Sequence, residues 1–230
     1  HISDDHNRFI ASESLAYQND FLRLPVVNIW CAWVQEIILE KFPTATFKPK
    51  PYNFISTVDV DNLYAFKAKG ILRTFGALLK DAAAFDFVGF VERLRTVLGL
   101  LEDPYDTFDK QIEANNAEGI SSIYFMLFAE FAQYDRNISM FSPKMHVAVR
   151  GMNDYTEVDI HPSYRSNEND DIVAFEVRHL EEALRTNVTK SRQHFLKMRF
   201  PDTFRNLLDL GITDEYSMGY ASEPGFRASI

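Results

Sequence analysis

Cysteine is nearly missing: Cys31 is the single example in 230 residues. That excludes an internal disulfide framework and any zinc site built on thiolates. Set between Trp30 and Ala32 in an apolar segment, Cys31 is expected to be a small buried hydrophobe. No run of 18 apolar residues occurs, so no helical membrane span is expected, and no signal peptide is visible. Basic charge is scarce as well. The chain holds 24 Lys and Arg against 33 Asp and Glu, a formal net charge of −9 at pH 7. Such a balance argues against a nucleic-acid or anionic-membrane partner and is compatible with a neutral one. Neither G-x-x-x-x-G-K-[ST] nor G-x-G-x-x-G is present, which removes the usual phosphate-binding loops.

What is present is ample core material, 46% hydrophobic residues with 20 Phe. The chain begins at His1 and stops at "GFRASI" directly after structured-looking sequence, and it reads as part of a longer protein. Residues 1–24 are polar and without period. "PVVNIWCAWVQEIILEKF" carries apolar residues around most of a helix, started by Pro25 and stopped by Pro43, and is expected to pack against neighbours on more than one side. The Pro-rich "FKPKPY" marks the best boundary, with a helical appendage over 1–48 and a second domain over 49–230. After it come a strand ("YNFISTV"), helices over "LYAFKAKGILRTFGALLKDAAAF" and "FVGFVERLRTVLGLL", and a polar, turn-prone stretch. Then come strands at "ISSIYFMLF" and "TEVDIHPSY", a helix at "DDIVAFEVRHLEEALRTN", a strand at "TKSRQHFLK", a helix at "PDTFRNLLDLG", and "ITDEYSMGY". This alternation predicts an α/β fold with parallel strands and crossover helices, as an open sheet or a barrel. In either, chemistry gathers at the C-terminal ends of the strands.

Asp59 and Asp61 lie at such an end. Residues i and i+2 share a side of a strand, roughly 6.5 Å apart along it. Two carboxylates there either solvate a turn or repel one another until a divalent cation takes one as ligand and leaves the other free to accept a proton. His161 ends another strand, its backbone held extended by Pro162. His194 ends the next, with Arg192 two residues earlier on the same face. Each histidine alone could be a satisfied, partly buried residue. Together, Asp-x-Asp, His and Arg-x-His at successive strand ends make a carboxylate and two imidazoles, a catalytic zinc set with a position left for water. His1, His6, His146 and His179 lack this placement. Asp103, Asp106 and Asp109 in "DPYDTFD" do not follow the EF-hand pattern and read as a solvated loop or helix face.

"TVDVDN" resembles the first motif of the NodB-type polysaccharide deacetylases, metal-dependent carbohydrate esterases. "IHPSYRS" stands where that family places its histidine motif. "RFPDTFRNLLDLGITDEYSMGYASEPGFRA" resembles its arginine strand, Pro-led helix and D-x-S-x-G-Y segment. The likeness runs from about Tyr52 to Arg227 and is nearest to a Bacteroidetes branch with an N-terminal helical appendage and an "HPSY" signature. It implies a distorted, incomplete (β/α) barrel in a bacterial protein; the visible sequence, without a signal peptide, leads to the expectation of the cytoplasm rather than secretion. It also implies a polysaccharide or glycan substrate, a divalent metal (zinc, or nickel or cobalt), and deacetylation of N- or O-acetyl groups. Asp59 would be the catalytic base, Asp61 and His161 metal ligands, Arg192 the residue that orients the base, and Glu215 the acidic residue of the D-x-S-x-G-Y segment. Tyr164 and Tyr220 are candidates to face the sugar, or else packing residues. The family's second histidine is Arg165 here, and a cation cannot replace a metal ligand. His194 is the substitute that strand geometry offers. The family's late histidine, its general acid, would fall beyond Ile230. The competing expectation is a catalytically inactive glycan-binding or assembly module on the same fold, with Arg165 in its favour.

Overall fold

In the computed structural model, residues 2–49 and 51–229 are described; His1, Ile230 and Lys50 of the Pro-rich connector lie outside them. Five parallel strands form one sheet: β1 (Ile55–Val60), β2 (Ser121–Met126), β3 (Glu157–Ile160), β4 (Lys190–Ser191) and β5 (Asp214–Glu215). Their order in space is β1-β2-β3-β4-β5, the same as along the chain. Parallel neighbours joined in sequence by helices are the build of a (β/α) barrel, here an incomplete one. The expected fold class is therefore met.

The crossover helices are α3 (Ile71–Ala83), α4 (Phe87–Val97) and α5 (Phe108–Ala117) between β1 and β2, α6 (Pro143–Asn153) before β3, α7 (Asp170–Leu184) before β4, and α8 (Asp202–Asp209) before β5. Strand β2 is covered on both faces: Tyr124, Phe125 and Met126 are all fully buried. Around it gather Met145, Val149 and Met152 of α6 and Val173, Val177 and Leu180 of α7. Asp170 and Asp171 open α7, where carboxylates suit the helix dipole.

Several local expectations give way. The helix expected from Leu63 starts only at Ile71, after Gly70 in a left-handed conformation (φ 82°). Residues 65–67 are held as a loop by Asp103, whose buried carboxylate accepts from the backbone N–H groups of Ala65, Phe66, Lys67 and Tyr105. Burial pushes that carboxyl up, but the four N–H donors together hold it below its ordinary range. Asp103 is thus a loop clamp rather than a solvated side chain. The polar stretch after it contains α5, anchored by the buried Phe108 and Ile112.

The N-terminal segment contains α1 (Leu15–Gln18) and α2 (Val26–Lys41), with no strand of the sheet among its described residues. An antiparallel bridge joins Ser3 and Phe9. Helix α2 forms where expected, but it does not pack on more than one side: it has no buried residue. Cys31 is exposed, not buried, because α2 is apolar all round and no described element covers that side. Among the described residues, no helix is long and apolar enough to cross a membrane.

Candidate active site

The C-terminal ends of β1, β3 and β4 bring three donors together. Asp61 follows β1 directly, His161 follows β3, and His194 lies three residues past β4. His194 stands in a single 3-10 turn, His194–Leu196, because β4 is only two residues long rather than the longer strand expected. His161 Nε2 lies 3.2 Å from Asp61 Oδ1, and His194 Nε2 lies 3.6 Å from the same oxygen. The three ligand atoms all fall within 4.8 Å of one another.

The other nitrogen of each ring is tied off. His161 Nδ1 donates to the Arg192 carbonyl at 2.5 Å. A carbonyl only accepts, so this bond sets the tautomer and leaves the Nε2 lone pair facing Asp61. His194 Nδ1 donates to Asp135 Oδ1 at 2.9 Å with the same result. Both rings are nearly inaccessible, whereas Asp61 is open to solvent. One carboxylate and two imidazole lone pairs converging on one point fit a divalent cation, with room for water at the open Asp61 side.

Asp59 stands apart from this trio. Arg192 Nη1 donates to Asp59 Oδ1 at 2.9 Å. Arg192 is fixed by donating from Nη2 to Thr57 Oγ1 (2.9 Å) and from Nε to the Tyr216 carbonyl (3.2 Å), and its guanidinium lies 4.9 Å from the Phe125 ring centroid. A planar fork held at three points orients its carboxylate partner tightly. A pocket of about 380 Å³ opens beside Asp59 and Asp61, with Asn62, Tyr105 and Gln111 among its walls.

The remaining expected residues lie outside the Asp61, His161 and His194 trio. Glu215 turns to Ser217, accepting from its backbone N at 2.8 Å and pairing with its hydroxyl; burial pushes the Glu215 carboxyl up. Ser217 Oγ in turn accepts from Gln193 N at 2.6 Å, so Glu215 acts on the chain beside His194. Tyr164 belongs to an aromatic cluster, its ring 4.5 Å from Tyr134 and its hydroxyl 3.3 Å from His6 Nδ1. Tyr220 lies against Phe9 and Arg227. Arg165 is exposed at the start of a 3-10 turn.

Residues 1–43 match the model of a family described as one of unknown function (DUF7033). No curated protein matches the chain. Among solved structures the chain is similar to a candidate polysaccharide deacetylase from Mycobacterium smegmatis, at 12% identity and TM-score 0.46, covering 76% of this chain and 54% of that one. It is also similar to a mutant pseudoenzyme of the CE4 family with restored enzymatic activity, at 11% identity and TM-score 0.40, covering 74% of this chain and 49% of that one. The chain thus spans about half the length of both structures.

Two acidic residues at the site escape sequence reasoning. Asp135, fully buried in the loop after β2, holds His194 and also accepts from the Tyr164 backbone N at 2.8 Å. It lies in "AQYDRN", past a strand end, where a carboxylate merits the same attention as Asp59. Glu176, buried on α7, accepts from Ser163 N at 3.0 Å and so braces the turn that carries His161; burial pushes its carboxyl up to about 7. No local pattern marks Glu176, since its partner belongs to another element. The turn at His194 is itself strained. Phe195 and Leu196 have φ of 62° and 53°, a left-handed backbone that costs non-glycine residues on the order of 1–2 kcal/mol each.

Proposed function

We propose that this chain carries the metal centre and the base of a hydrolase that removes N- or O-acetyl groups from a polysaccharide or glycan precursor. The observation that carries the reading is the meeting of both histidine Nε2 atoms on one Asp61 oxygen while both Nδ1 atoms are occupied. Asp61, His161 and His194 would hold a divalent cation, zinc by the chemistry of the donors, or nickel or cobalt. When bound, such an ion polarises an acyl oxygen and lowers the pKa of a coordinated water.

The chain's own residues supply the rest. Asp59, open to the pocket and aimed by Arg192, accepts the proton that the attacking water loses. The guanidinium fixes which Asp59 oxygen faces the substrate. The C–N or C–O bond to the sugar then breaks, the leaving nitrogen or oxygen takes up a proton, and acetate departs. A neutral glycan agrees with the net charge of −9, which would repel a polyanion. The NodB-type motifs around Asp59, Asp61, His161 and Arg192 point to the same chemistry, with His194 standing in for the ligand that Arg165 cannot provide.

Metal analysis with acetate release tests this. Purified protein loaded with zinc should retain the ion and release acetate from acetylated glycans. His161→Ala and His194→Ala should each weaken zinc binding more than the ~10–100-fold typical of a lost outer partner, and His179→Ala should leave it unchanged. Failure of the intact protein to retain any divalent ion would overturn the reading. Retention without acetate release would favour a glycan-binding module instead.

A further inference from the structure

We infer that Arg8, held in place by Asp4, is a positioning residue for His194, so that the N-terminal segment is a working part of the candidate metal centre. This rests on the reading of Asp61, His161 and His194 as metal ligands. His194 is followed by Phe195 and Leu196, both left-handed and neither a glycine. Such a conformation persists only when neighbouring groups over-determine it.

The neighbour that does so comes from 187 positions away. Arg8 Nη1 donates to the Phe195 carbonyl at 2.6 Å. The guanidinium is not free to wander, because its Nε and Nη2 each lie 2.7 Å from Asp4 Oδ2. Asp4 is fixed in turn: its Oδ1 accepts from the backbone N of Arg8 at 3.0 Å, and its own backbone N donates to the Arg8 carbonyl at 3.0 Å. The Ser3–Phe9 bridge closes this small hairpin. From its tip the His6 ring enters an aromatic cluster, 4.6 Å from Phe195 and 5.5 Å from Tyr134. Phe195 packs 4.7 Å from the His194 ring itself.

The result is a continuous path from Asp4 through Arg8 and the Phe195 carbonyl to the ligand. A charge-assisted bond in a partly buried setting is stronger than its exposed counterpart and loses little to screening. It satisfies a carbonyl that the left-handed turn leaves without a helical partner. Asp135 fixes which nitrogen of His194 faces Asp61; Arg8 fixes where the ring stands. Outer partners of this kind tune ligand geometry rather than chemistry. The segment that supplies Arg8 lies within the 1–43 region matched by the family of unknown function, which gives that region a role at the cleft.

Zinc affinity, read by chelator competition, and the visible spectrum of the cobalt-loaded protein provide the test. Arg8→Ala should weaken zinc binding about 10-fold, at the low end for outer partners, and change the cobalt absorption bands, which report ligand geometry. Arg8→Lys keeps a charge within reach of the Phe195 carbonyl and should restore part of both. Arg23→Ala, an exposed arginine of the same segment, should change neither. Asp4→Asn loosens Arg8 without removing it and should act like a weaker Arg8→Ala, which keeps the test decisive if Arg8→Ala misfolds. If the parent protein binds zinc and both Arg8→Ala and Asp4→Asn match it in affinity and cobalt spectrum, the inference is wrong and the metal centre stands. If the parent binds no metal, it is the metal-centre reading that fails.

Discussion

The two flanks of the sheet are built from similarly apolar sequence and treat it in opposite ways. On the β2 side, Ile123 to Phe128 are at most 2% exposed, closed in by α6 and α7. On the other, α3 and α4 pack on each other while Ile71 and Leu72 stand 88% exposed and Phe85 and Val88 79% exposed. Helix α2 resembles the second group, with Trp30, Trp33, Val34 and Ile37 in the open. The difference teaches where the cleft gets its rigidity. His161, His194 and Asp135 all hang from the closed flank, and their rings and carboxylate are braced by buried groups. Apolar composition alone does not stabilise; only area removed from water does.

The sharpest way to break this contrast is to cut one phenylalanine from each flank. Phe128→Ala opens a cavity in a fully closed cluster and should cost about 3–5 kcal/mol. Phe85→Ala removes a ring already in water and should stay within about 0.5 kcal/mol. Chemical denaturation of both variants measures the pair. Equal losses would mean that α3 and α4 are covered in solution.

Next in size is the penalty the closed flank pays for Glu176. Its carboxyl is pushed up to about 7 by burial, from an ordinary value of 4.5. Below pH 4.5 the group is protonated in both folded and unfolded chains, and burial carries no ionisation penalty. As pH rises from 4.5 to 7 the unfolded chain releases the proton while the folded one keeps it, so stability falls across that window. The full loss is on the order of 3 kcal/mol above pH 7. Glu176→Gln keeps an acceptor for Ser163 N and removes the ionisation. Its advantage over the parent should be near zero at pH 4 and largest at pH 8 in denaturation curves. Glu36→Gln, on exposed α2, should show no such slope. A Glu176→Gln curve parallel to the parent across pH would refute the buried-acid account.

Legibility in the sequence divides along physical lines. Strand β2 is readable because a parallel strand buried on both faces is a short, dense apolar run, and the half-buried β1 is readable from its β-branched residues. The residues Asp59, Asp61, His161, Arg192 and His194 are readable because strand ends are where such folds gather polar groups. What escapes depends on distant partners. The loop at 65–67 is not helical because Asp103 claims its N–H groups. Helix α5 rests on only two buried residues, Phe108 and Ile112, too few to give a clear period. Asp135 meets His194 across 59 positions, and Glu176 meets Ser163 from another element. Cys31 misleads for the converse reason. Its apolar neighbours suggest burial, but burial needs a covering element, and composition cannot supply one.

The smallest expected effect belongs to α2, and it sharpens the comparison by direct observation. Both tryptophans of the chain, Trp30 and Trp33, lie on this helix, as does the lone Cys31. Each indole is more than half exposed, and the thiol is exposed. Tryptophan fluorescence therefore reports α2 with no contribution from the closed flank. The native protein should show the red emission of indole in water, with acrylamide quenching close to that in denaturant. Cys31 should react with a thiol reagent in native buffer without any unfolding step, since access and not opening limits an exposed thiol. Cys31→Ser should leave stability within about 0.5 kcal/mol, because no packing is lost. Blue emission together with a protected thiol would show that α2 is covered in solution. The open flank would then be a second closed surface, and the cleft's rigidity could no longer be assigned to β2, α6 and α7 alone.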